Sequence, residues 1–236
     1  MVRGFGEKAE FVEETFSESQ LAKRFGIRFY PAVFVNDVLI AKPSDFFGSD
    51  KGRYIPWREP ANQEKFRADL KRMIAIALRD RRELEAQGVT DGASGAPVPV
   101  ARLPKFSLTD LRGAPLRDTD LAGKPVVVEF WAEWCPPCRS TLGWLSEKHR
   151  SLGGSVEFVG IAVESEEANI RAIVDSMKLP YRVAMGSPDV TLRFGDIVSV
   201  PTLFVFDASG RTVDVFYGAP PDLHEKVARA IAVAAG

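Results

Sequence analysis

Apolar and polar positions follow one repeating pattern after residue 100. Five short apolar segments (VVVEFWA, VEFVGIAV, YRVAM, TLFVFDA and TVDVFYG) predict strands, and segments that favour helices lie between them. The predicted helices are Pro136 to about Arg150, Glu166–Met177, Pro188–Phe194 and Pro221–Ala235. Continuous apolar strands with intervening helices are typical of an α/β sheet that is covered on both faces. FDASGRTVDV predicts a hairpin at the end of that sheet.

The first part of the chain has shorter patterns. Two apolar runs around Asn36-Asp37 predict a hairpin, and Ser17–Gly26 predicts a short helix with Ser17 as its N-cap. Gly88–Val100 is rich in Gly, Pro, Ala and Ser without periodicity, which predicts a linker. The domain prediction is a first module over residues 1–87, a linker over 88–100 and a second domain over 101–236. A longer helix before the linker is indicated by apolar residues at helical spacing: Phe66, Leu70, Met73, Ile74, Ala77 and Leu78.

The composition is ordinary for a globular protein and excludes some partners. Hydrophobic residues make up 45% and charged residues 27% of the 236 residues, with a formal net charge of -1. Such a charge gives no broad attraction to nucleic acid or anionic lipid. No apolar run approaches the ~20 residues of a membrane span. The start of the chain has no apolar segment typical of a secretory signal, which predicts a cytoplasmic protein if Met1 is the true start.

Both cysteines of the chain, Cys135 and Cys138, lie in one segment, EFWAEWCPPCRS. Their spacing is compatible with half of a zinc site, a redox dithiol or a structural disulfide. A closed zinc site needs two more ligands, and the only histidines are His149 and His224. Each lies among charged residues of a different predicted helix, so we expect exposed helix histidines and no metal site. Two cysteines also cannot form the disulfide framework of a small secreted domain.

Redox chemistry fits the local sequence better. The cysteines directly follow a predicted buried strand, at the point where a helix is expected to begin. Cys135 would then lie at the helix N-terminus, where the helix dipole and free N–H groups favour a thiolate. Pro136 and Pro137 are tolerated at the first two helical positions because the N–H groups there have no intrahelical partner. Cys138 lies one turn further in and is expected to be more shielded, which predicts Cys135 as attacking and Cys138 as resolving sulfur.

The segment VVVEFWAEWCPPCR resembles the active-site segment of thioredoxin-fold proteins, and residues from about Ala101 to Gly236 resemble the TlpA/ResA-like thiol-disulfide oxidoreductases. LPKFSLTDLRGAPLRDTDLAGKPVVVEF is similar to the lead-in of that family, and VGIAVESEEANIRAIVDSMKLPYRVAM to its extra helix-strand insertion. VSVPTLFVFDASGRTV is similar to the segment that carries its cis-proline. The resemblance implies a thioredoxin-like fold with a central mixed sheet and flanking helices.

The resemblance also implies roles for residues outside the cysteine pair. Pro201 would be the cis-proline beside the dithiol, and the Val200 backbone would pair with an extended substrate segment. Glu129 matches the buried acid of thioredoxin, which exchanges a proton with the resolving cysteine. The alternative for Glu129 is an ion pair with a nearby base such as Lys124. The implied substrate-binding residues are Trp134, Pro136, Pro137, Val200, Pro201 and Thr202.

The functional prediction is a thiol-disulfide oxidoreductase that exchanges electrons with protein dithiols and disulfides, without a metal or organic cofactor. Its expected partners are a protein substrate and an upstream redox partner. One alternative is a thiol peroxidase of the peroxiredoxin-like class, in which Trp131 would stand where that class places a threonine. Another is a non-catalytic binding module, which suits the first part of the chain. Relatives in the resembled family are usually exported or membrane-anchored, so the resemblance implies a periplasmic or anchored protein.

Residues 1–87 resemble the second half of a thioredoxin fold, with Tyr30-Pro31 at the cis-proline position. The strand and the cysteine-bearing helix that should precede this half are absent from the sequence. Three explanations stay open: missing upstream sequence, a degenerate non-catalytic module, or a sheet that is completed by a partner chain. The third predicts a dimer through the incomplete module, because an open sheet edge exposes unpaired backbone and apolar surface.

Overall fold

The structure is a computed structural model that describes residues 9–15, 18–28, 31–47, 52–78, 90–91, 97–98 and 100–236. Contacts within the chain divide it into two compact units, Met1–Gly88 and Val89–Gly236. Each unit is described by itself below. No helix among the described residues is long and apolar enough to cross a membrane.

The first unit begins with a short helix and the predicted hairpin. Helix α1 (Gln20–Arg24) is capped by Ser19, whose hydroxyl oxygen accepts a hydrogen bond from the Ala22 N–H at 3.1 Å. The predicted cap, Ser17, lies outside the described residues. The hairpin is confirmed: strands β1 (Val33–Val35) and β2 (Val38–Ala41) pair antiparallel. The predicted cis-proline pair involves Tyr30, which is also outside the described residues.

Helix α2 (Pro60–Leu78) confirms the longer predicted helix and buries Met73 and Ile74. Its buried face also includes Asp69, because the carboxylate is paired inside the unit. Asp69 accepts hydrogen bonds from the Tyr54 hydroxyl at 2.9 Å and from the Lys65 ammonium at 3.0 Å. The apolar spacing alone therefore predicted an incomplete face, since Ala77 is exposed and a charged residue is buried. Aromatic rings pack beside this pair in a small core: Phe46, Tyr54, Trp57 and Phe66.

Two short ladders precede the main sheet of the second unit. Strands β3 (Thr90–Asp91) and β4 (Pro97–Val98) pair antiparallel inside the segment that was expected to be a linker. A two-residue ladder is too short to leave a period in the sequence, so the pattern could not reveal it. Strands β5 (Ser107–Thr109) and β6 (Pro115–Arg117) form the hairpin of the lead-in to the central strand.

The second unit contains the predicted mixed sheet. Its strands are β7 Val126–Trp131, β8 Glu157–Ala162, β9 Arg182–Met185, β10 Thr202–Phe206 and β11 Thr212–Tyr217. They lie in the order β11-β10-β7-β8-β9. Strands β7 and β8, and β8 and β9, are parallel, whereas β10 is antiparallel to both β7 and β11. The central strand β7 is buried at every position because helices cover both faces.

Four helices of the second unit match the predicted ones to within two residues at each end. They are α3 Pro136–Leu152, α4 Glu167–Met177, α5 Pro188–Arg193 and α6 Leu223–Ala235. Helices α3, α4 and α6 share one face of the sheet: Gly143 of α3 lies beside Met177 of α4, and Trp144 of α3 stacks on His224 of α6 at 4.7 Å. On the opposite face, Phe194 at the end of α5 packs on Phe130 of β7 at 5.0 Å.

The prediction that both histidines are exposed is wrong. The two rings are half-buried. The ring of His149 lies 5.8 Å from the ring of Phe158 and 6.1 Å from that of Tyr181, and His224 stacks on Trp144. Burial lowers the pKa of His224 below its usual value. Neighbouring aromatic rings from other elements cover both histidines, which local charge in the sequence does not indicate.

Candidate functional site

The cysteine pair forms a disulfide at the end of the central strand. Cys135 and Cys138 are bonded, with their Cα atoms 5.4 Å apart. Helix α3 begins at Pro136, so Cys135 occupies the N-cap. Its sulfur accepts a hydrogen bond from the Cys138 N–H at 3.3 Å. The sulfur of Cys135 therefore lies where free N–H groups and the helix dipole stabilise negative charge.

The two prolines occupy the first positions of α3 and differ in exposure. Pro136 is exposed, and Pro137 is buried. Neither has an N–H group, so the Cys138 N–H is the first helical donor after the N-cap sulfur. The Pro137 carbonyl accepts a hydrogen bond from the Thr141 hydroxyl at 3.2 Å. Because both prolines lack an N–H group, the Cys138 N–H is the backbone donor of the first turn that contacts the Cys135 sulfur.

A second segment, before β10, lies against the disulfide. The Val200-Pro201 peptide bond is cis. The carbonyl oxygen of Val200 lies 3.9 Å from the sulfur of Cys135. Thr202 is the first residue of β10, and its hydroxyl donates to the Ser199 carbonyl at 2.8 Å. The structure therefore brings the predicted Val200, Pro201 and Thr202 together with the cysteine pair.

Burial at the site is more uniform than the sequence indicates. We expected Cys138 to be more shielded than Cys135. In the disulfide form both cysteines are fully buried, so their accessibility does not differ. Val200 and Thr202 are buried as well. Trp134 is half-buried, and its indole N–H donates to the Glu164 carbonyl at 3.2 Å. Because both sulfurs are enclosed, the chemical difference between them lies in the helix terminus and not in exposure.

Glu129 is fully buried in the central strand. Neither carboxylate oxygen has a hydrogen-bond partner among the described residues, and burial raises the pKa of Glu129 well above 4.5. The alternative ion pair with Lys124 is wrong, because the Lys124 ammonium instead contacts the Glu157 carboxylate at 2.7 Å. An unpaired buried carboxyl is stable in its neutral form, which is able to give a proton to a neighbouring group or take one back.

Three residues around Glu129 were not assigned to the site from the sequence. Gly160 of β8 lies opposite Glu129 in the parallel register. The indole nitrogen of Trp131 and the ring of Tyr181 lie beside Gly160, at 3.1 Å and 3.6 Å from the position that a Cβ atom would take there. The period of two along β7 places Glu129 and Trp131 on one face, and that signal was present in the sequence. Tyr181 belongs to a later segment, and only the sheet register brings it here.

The described residues contain no group of three or more histidine, cysteine or acidic side chains that could hold a metal ion. The cysteine pair is bonded to itself, and neither half-buried histidine lies in such a group. The groups of this arrangement that are able to carry out chemistry are the two sulfurs and the buried carboxyl of Glu129.

Comparison with known proteins assigns the second unit to a class. Residues 100–215 match the AhpC/TSA family. Thiol-disulfide oxidoreductase ResA of Bacillus cereus is 29% identical over 118 residues, which are 49% of this chain and 67% of that protein. The thioredoxin-like protein YneN of Bacillus subtilis is 27% identical over 118 residues, which are 49% of this chain and 69% of that protein.

A solved structure gives the same assignment. The thiol:disulfide interchange protein of the thioredoxin family from Chlorobium tepidum TLS is 32% identical, with a TM-score of 0.53. The match covers 58% of this chain and 97% of that chain. This protein belongs to the thioredoxin-fold thiol-disulfide oxidoreductases. Within them it is of the TlpA/ResA-like type, and the predicted fold class and exchange activity are confirmed.

Proposed function

We propose that Cys135 is the sulfur that exchanges with the substrate, that Cys138 resolves the mixed disulfide, and that Glu129 handles the proton of Cys138. The observation that carries the assignment is the position of Cys135 at the N-cap of α3, with the Cys138 N–H donating to its sulfur at 3.3 Å. A thiolate at that position is stabilised by the helix dipole, and thiolates are the nucleophiles of disulfide exchange.

In the reducing direction, the Cys135 thiolate attacks one sulfur of a substrate disulfide and forms a mixed disulfide. The released substrate sulfur takes a proton from solvent. Cys138 then gives its proton to the ionised carboxylate of Glu129, and its thiolate attacks the sulfur of Cys135. The bond between Cys135 and the substrate breaks, and the Cys135–Cys138 disulfide forms. The second substrate sulfur leaves as a thiolate and takes a proton from solvent, while Glu129 keeps the proton of Cys138. Two electrons have passed from the dithiol to the substrate, and the oxidising direction runs the same steps in reverse.

The proposed substrate is a protein thiol or disulfide in an extended segment. The Val200 carbonyl beside the Cys135 sulfur is a backbone acceptor for such a segment, and Trp134 and exposed Pro136 border it. The buried part of the proposed substrate site consists of Pro137, Pro201 and Thr202. An upstream redox partner would restore the dithiol by the same exchange. The dithiol itself carries both electrons, so no further cofactor is part of the proposal.

The peroxidase alternative receives no support from the site. Position 131, where that class would place a threonine before the cysteine, holds a tryptophan that is fully buried. In addition, the two sulfurs are bonded to each other within one turn of helix. This arrangement favours exchange between dithiols and disulfides.

We also propose the domain organisation that the sequence predicts: a module over residues 1–87, a connecting segment over 88–100 and a catalytic domain over 101–236. Neither cysteine lies in the first module, so it takes no direct part in the exchange. Within its described residues, the sheet consists of β1 and β2 only. We propose a second copy of this chain as the partner of the module, because an edge strand of a two-stranded sheet is able to pair with the same edge of another copy.

Single-cysteine variants test the assignment of the sulfurs. Cys138→Ser should accumulate a mixed disulfide with a protein substrate, because the resolving thiol is gone. Cys135→Ser should accumulate none, since Cys138 has no helix terminus to stabilise its thiolate. Non-reducing electrophoresis after quenching with an alkylating reagent measures both. Equal accumulation by the two variants, or accumulation by Cys135→Ser alone, would contradict the assignment.

A further inference from the structure

Three polar residues surround one glycine of the central sheet in the second unit. Gly160 lies opposite Glu129 in the parallel pairing of β7 and β8. Its missing side chain leaves room on the α3 face of the sheet, which the Trp131 indole and the Tyr181 ring occupy. A Cβ atom at Gly160 would lie 3.1 Å from the Trp131 nitrogen and 3.6 Å from the Tyr181 ring. We call Glu129, Trp131 and Tyr181 the buried triad.

Two members of the buried triad have hydrogen-bonding atoms that are complementary and unpaired among the described residues. The carboxylate oxygens of Glu129 and the indole nitrogen of Trp131 are buried, and none has a hydrogen-bond partner among the described residues. Buried polar atoms are nearly always paired, and an unpaired one costs about 1–3 kcal/mol. Glu129 supplies acceptors and Trp131 supplies a donor two residues along the same strand and on the same face.

Tyr181 supplies a second donor that is weakly engaged. Its hydroxyl lies 3.4 Å from the Leu142 carbonyl of α3, which is long for an O–H···O hydrogen bond, and the Ser146 hydroxyl lies beside it. Burial, and then the negative charge of Glu129, raise the pKa of Tyr181 well above its usual value. The phenol therefore keeps its proton over the pH range in which disulfide exchange proceeds, and it remains available as a donor.

We propose that Trp131 and Tyr181 are positioning residues that donate hydrogen bonds to Glu129 when its carboxyl ionises, and so set the pH at which Glu129 accepts a proton. The inference rests on the proposed role of Glu129 in taking the proton of Cys138. Burial alone disfavours a charged carboxylate. Hydrogen bonds to the charged carboxylate oppose that effect, because they stabilise the ionised form and lower the pKa of Glu129.

Other titratable groups near the buried triad lie on separate elements. His149 of α3 faces Tyr181, with 6.1 Å between the ring centres. Tyr181 also borders a surface pocket of about 380 Å³. The charged residues that line this pocket are Asp110, Arg112, Arg171, Asp175 and Lys178. The raised pKa of Glu129 comes from burial. Trp131 does not line this pocket, so a Trp131 variant tests hydrogen-bond donation without altering the pocket lining.

The test is the pH profile of the resolving step in the full chain, measured by rapid mixing of the reduced protein with a small aromatic disulfide. In the wild type, the rate should rise as Glu129 ionises, because only the carboxylate accepts the proton of Cys138. Tyr181→Phe and Trp131→Phe each remove one donor and should shift this rise to higher pH by about one unit. Glu129→Gln should remove the rise, and adding Tyr181→Phe to it should change nothing further.

A readout independent of activity is the infrared band of the protonated Glu129 carboxyl, identified by its loss in Glu129→Gln. Its titration should move upward in both donor variants, in parallel with the rate. Tyr54→Phe is the matched control: it removes a buried tyrosine hydroxyl in the first unit, where the partner is Asp69. It should leave both the rate profile and the infrared titration in place.

The outcomes separate the inference from the proposed function. If Glu129→Gln keeps the rise, the role of Glu129 is wrong and the inference falls with it. If Glu129→Gln removes the rise but neither donor variant moves the rate profile or the infrared titration, Glu129 keeps its role and the positioning inference is overturned. Should Tyr181→Phe fail to fold, Trp131→Phe and the infrared titration decide by themselves.

Discussion

The missing side chain of Gly160 lets the Trp131 indole and the Tyr181 ring pack closely against β8. We expect Gly160→Ala to lower the free energy of unfolding by about 1–2 kcal/mol, since overpacking typically costs about 1–3 kcal/mol and exceeds the gain of about 0.5–1 kcal/mol from removing a strand glycine. The new methyl group would lie 3.1 Å from the Trp131 nitrogen and 3.3 Å from Val183. Urea unfolding of the oxidised protein measures the difference.

Gly143→Ala is the matched control for that substitution. Gly143 lies within α3, and a Cβ atom there would have one ordinary contact, with Met177 at 3.9 Å. Alanine favours a helix over glycine by about 0.8–1.0 kcal/mol, so this variant should be more stable than the wild type. A stabilised Gly160→Ala protein would show that Trp131 and Val183 move aside freely, and the close packing inferred for the buried triad would then be wrong.

Glu129 shows how far the sequence predicts the surroundings of a single residue. A carboxylate inside an apolar strand segment is visible in the sequence, and its burial was predicted for that reason. The period of two along β7 indicates Trp131 as one neighbour. The lysine considered as the partner of Glu129 pairs with Glu157 instead. Tyr181 comes from a segment more than fifty positions later in the chain. Only the register of three parallel strands places it beside Gly160 and Glu129.

At the scale of elements, the sequence predicted most of the second unit. The five strands of the sheet, the three helices between them and the helix after the last strand were all visible as apolar runs and helical segments, because each element is buried on one or both faces. The short β3–β4 ladder was missed because two residues carry no period. In the first unit, the buried Asp69 on α2 was missed because its partner Tyr54 is brought in by the tertiary fold.

The N-terminus of α3 gives a prediction about redox chemistry. An N-cap side chain accepts from the N–H of the second or third helical residue, and here the second is Pro137, which has none. Pro137→Ala should supply a further donor to the Cys135 sulfur and stabilise the reduced thiolate. We expect the reduction potential to rise by about 30–60 mV, which corresponds to one hydrogen bond to a charged group.

Equilibration with glutathione redox buffers measures this potential. Pro136→Ala is the control, because the first helical N–H does not reach the N-cap side chain, and its potential should stay near the wild-type value. An equal rise in both variants would show that proline removal acts through general loosening of the helix start. An unchanged or lower potential in Pro137→Ala would contradict the proposed stabilisation of Cys135 by backbone donors.

At the scale of the whole molecule, the fold of the second unit positions the residues of the cysteine site. The order of its elements predicted an α/β sheet, the resemblance of its cysteine segment implied the thioredoxin-like class, and the comparisons confirm that class. Exposure at the site did not follow from the sequence, since both cysteines are enclosed in the disulfide form. Burial is a property of all surrounding elements together: α3, the segment before β10 and the central strand. Local sequence patterns therefore do not predict the burial of the two cysteines.

Glu129 also gives the whole molecule a pH-dependent stability. Burial raises the pKa of Glu129 in the folded protein well above its ordinary value of 4.5. Between those two values the folded state binds the proton more strongly than the unfolded state does. The free energy of unfolding that this group contributes is therefore fully present below pH 4.5 and falls as pH rises through the folded pKa. The slope contributed by one such group is at most about 1.4 kcal/mol per pH unit.

We therefore expect Glu129→Gln to flatten the stability profile above pH 4.5, because glutamine is neutral at every pH. The measurement is urea unfolding of the oxidised wild type and variant at a series of pH values, with the difference between the two curves isolating Glu129. Groups with lowered pKa values, such as Asp207, act on the acid side in both proteins and cancel in that difference. Burial works against the lowering at Asp207, and hydrogen bonds from Ser209 and from the Arg211 backbone outweigh it. A constant difference across the whole pH range would show that Glu129 ionises as easily in the folded protein as in the unfolded chain, and its place as a neutral buried acid would be lost.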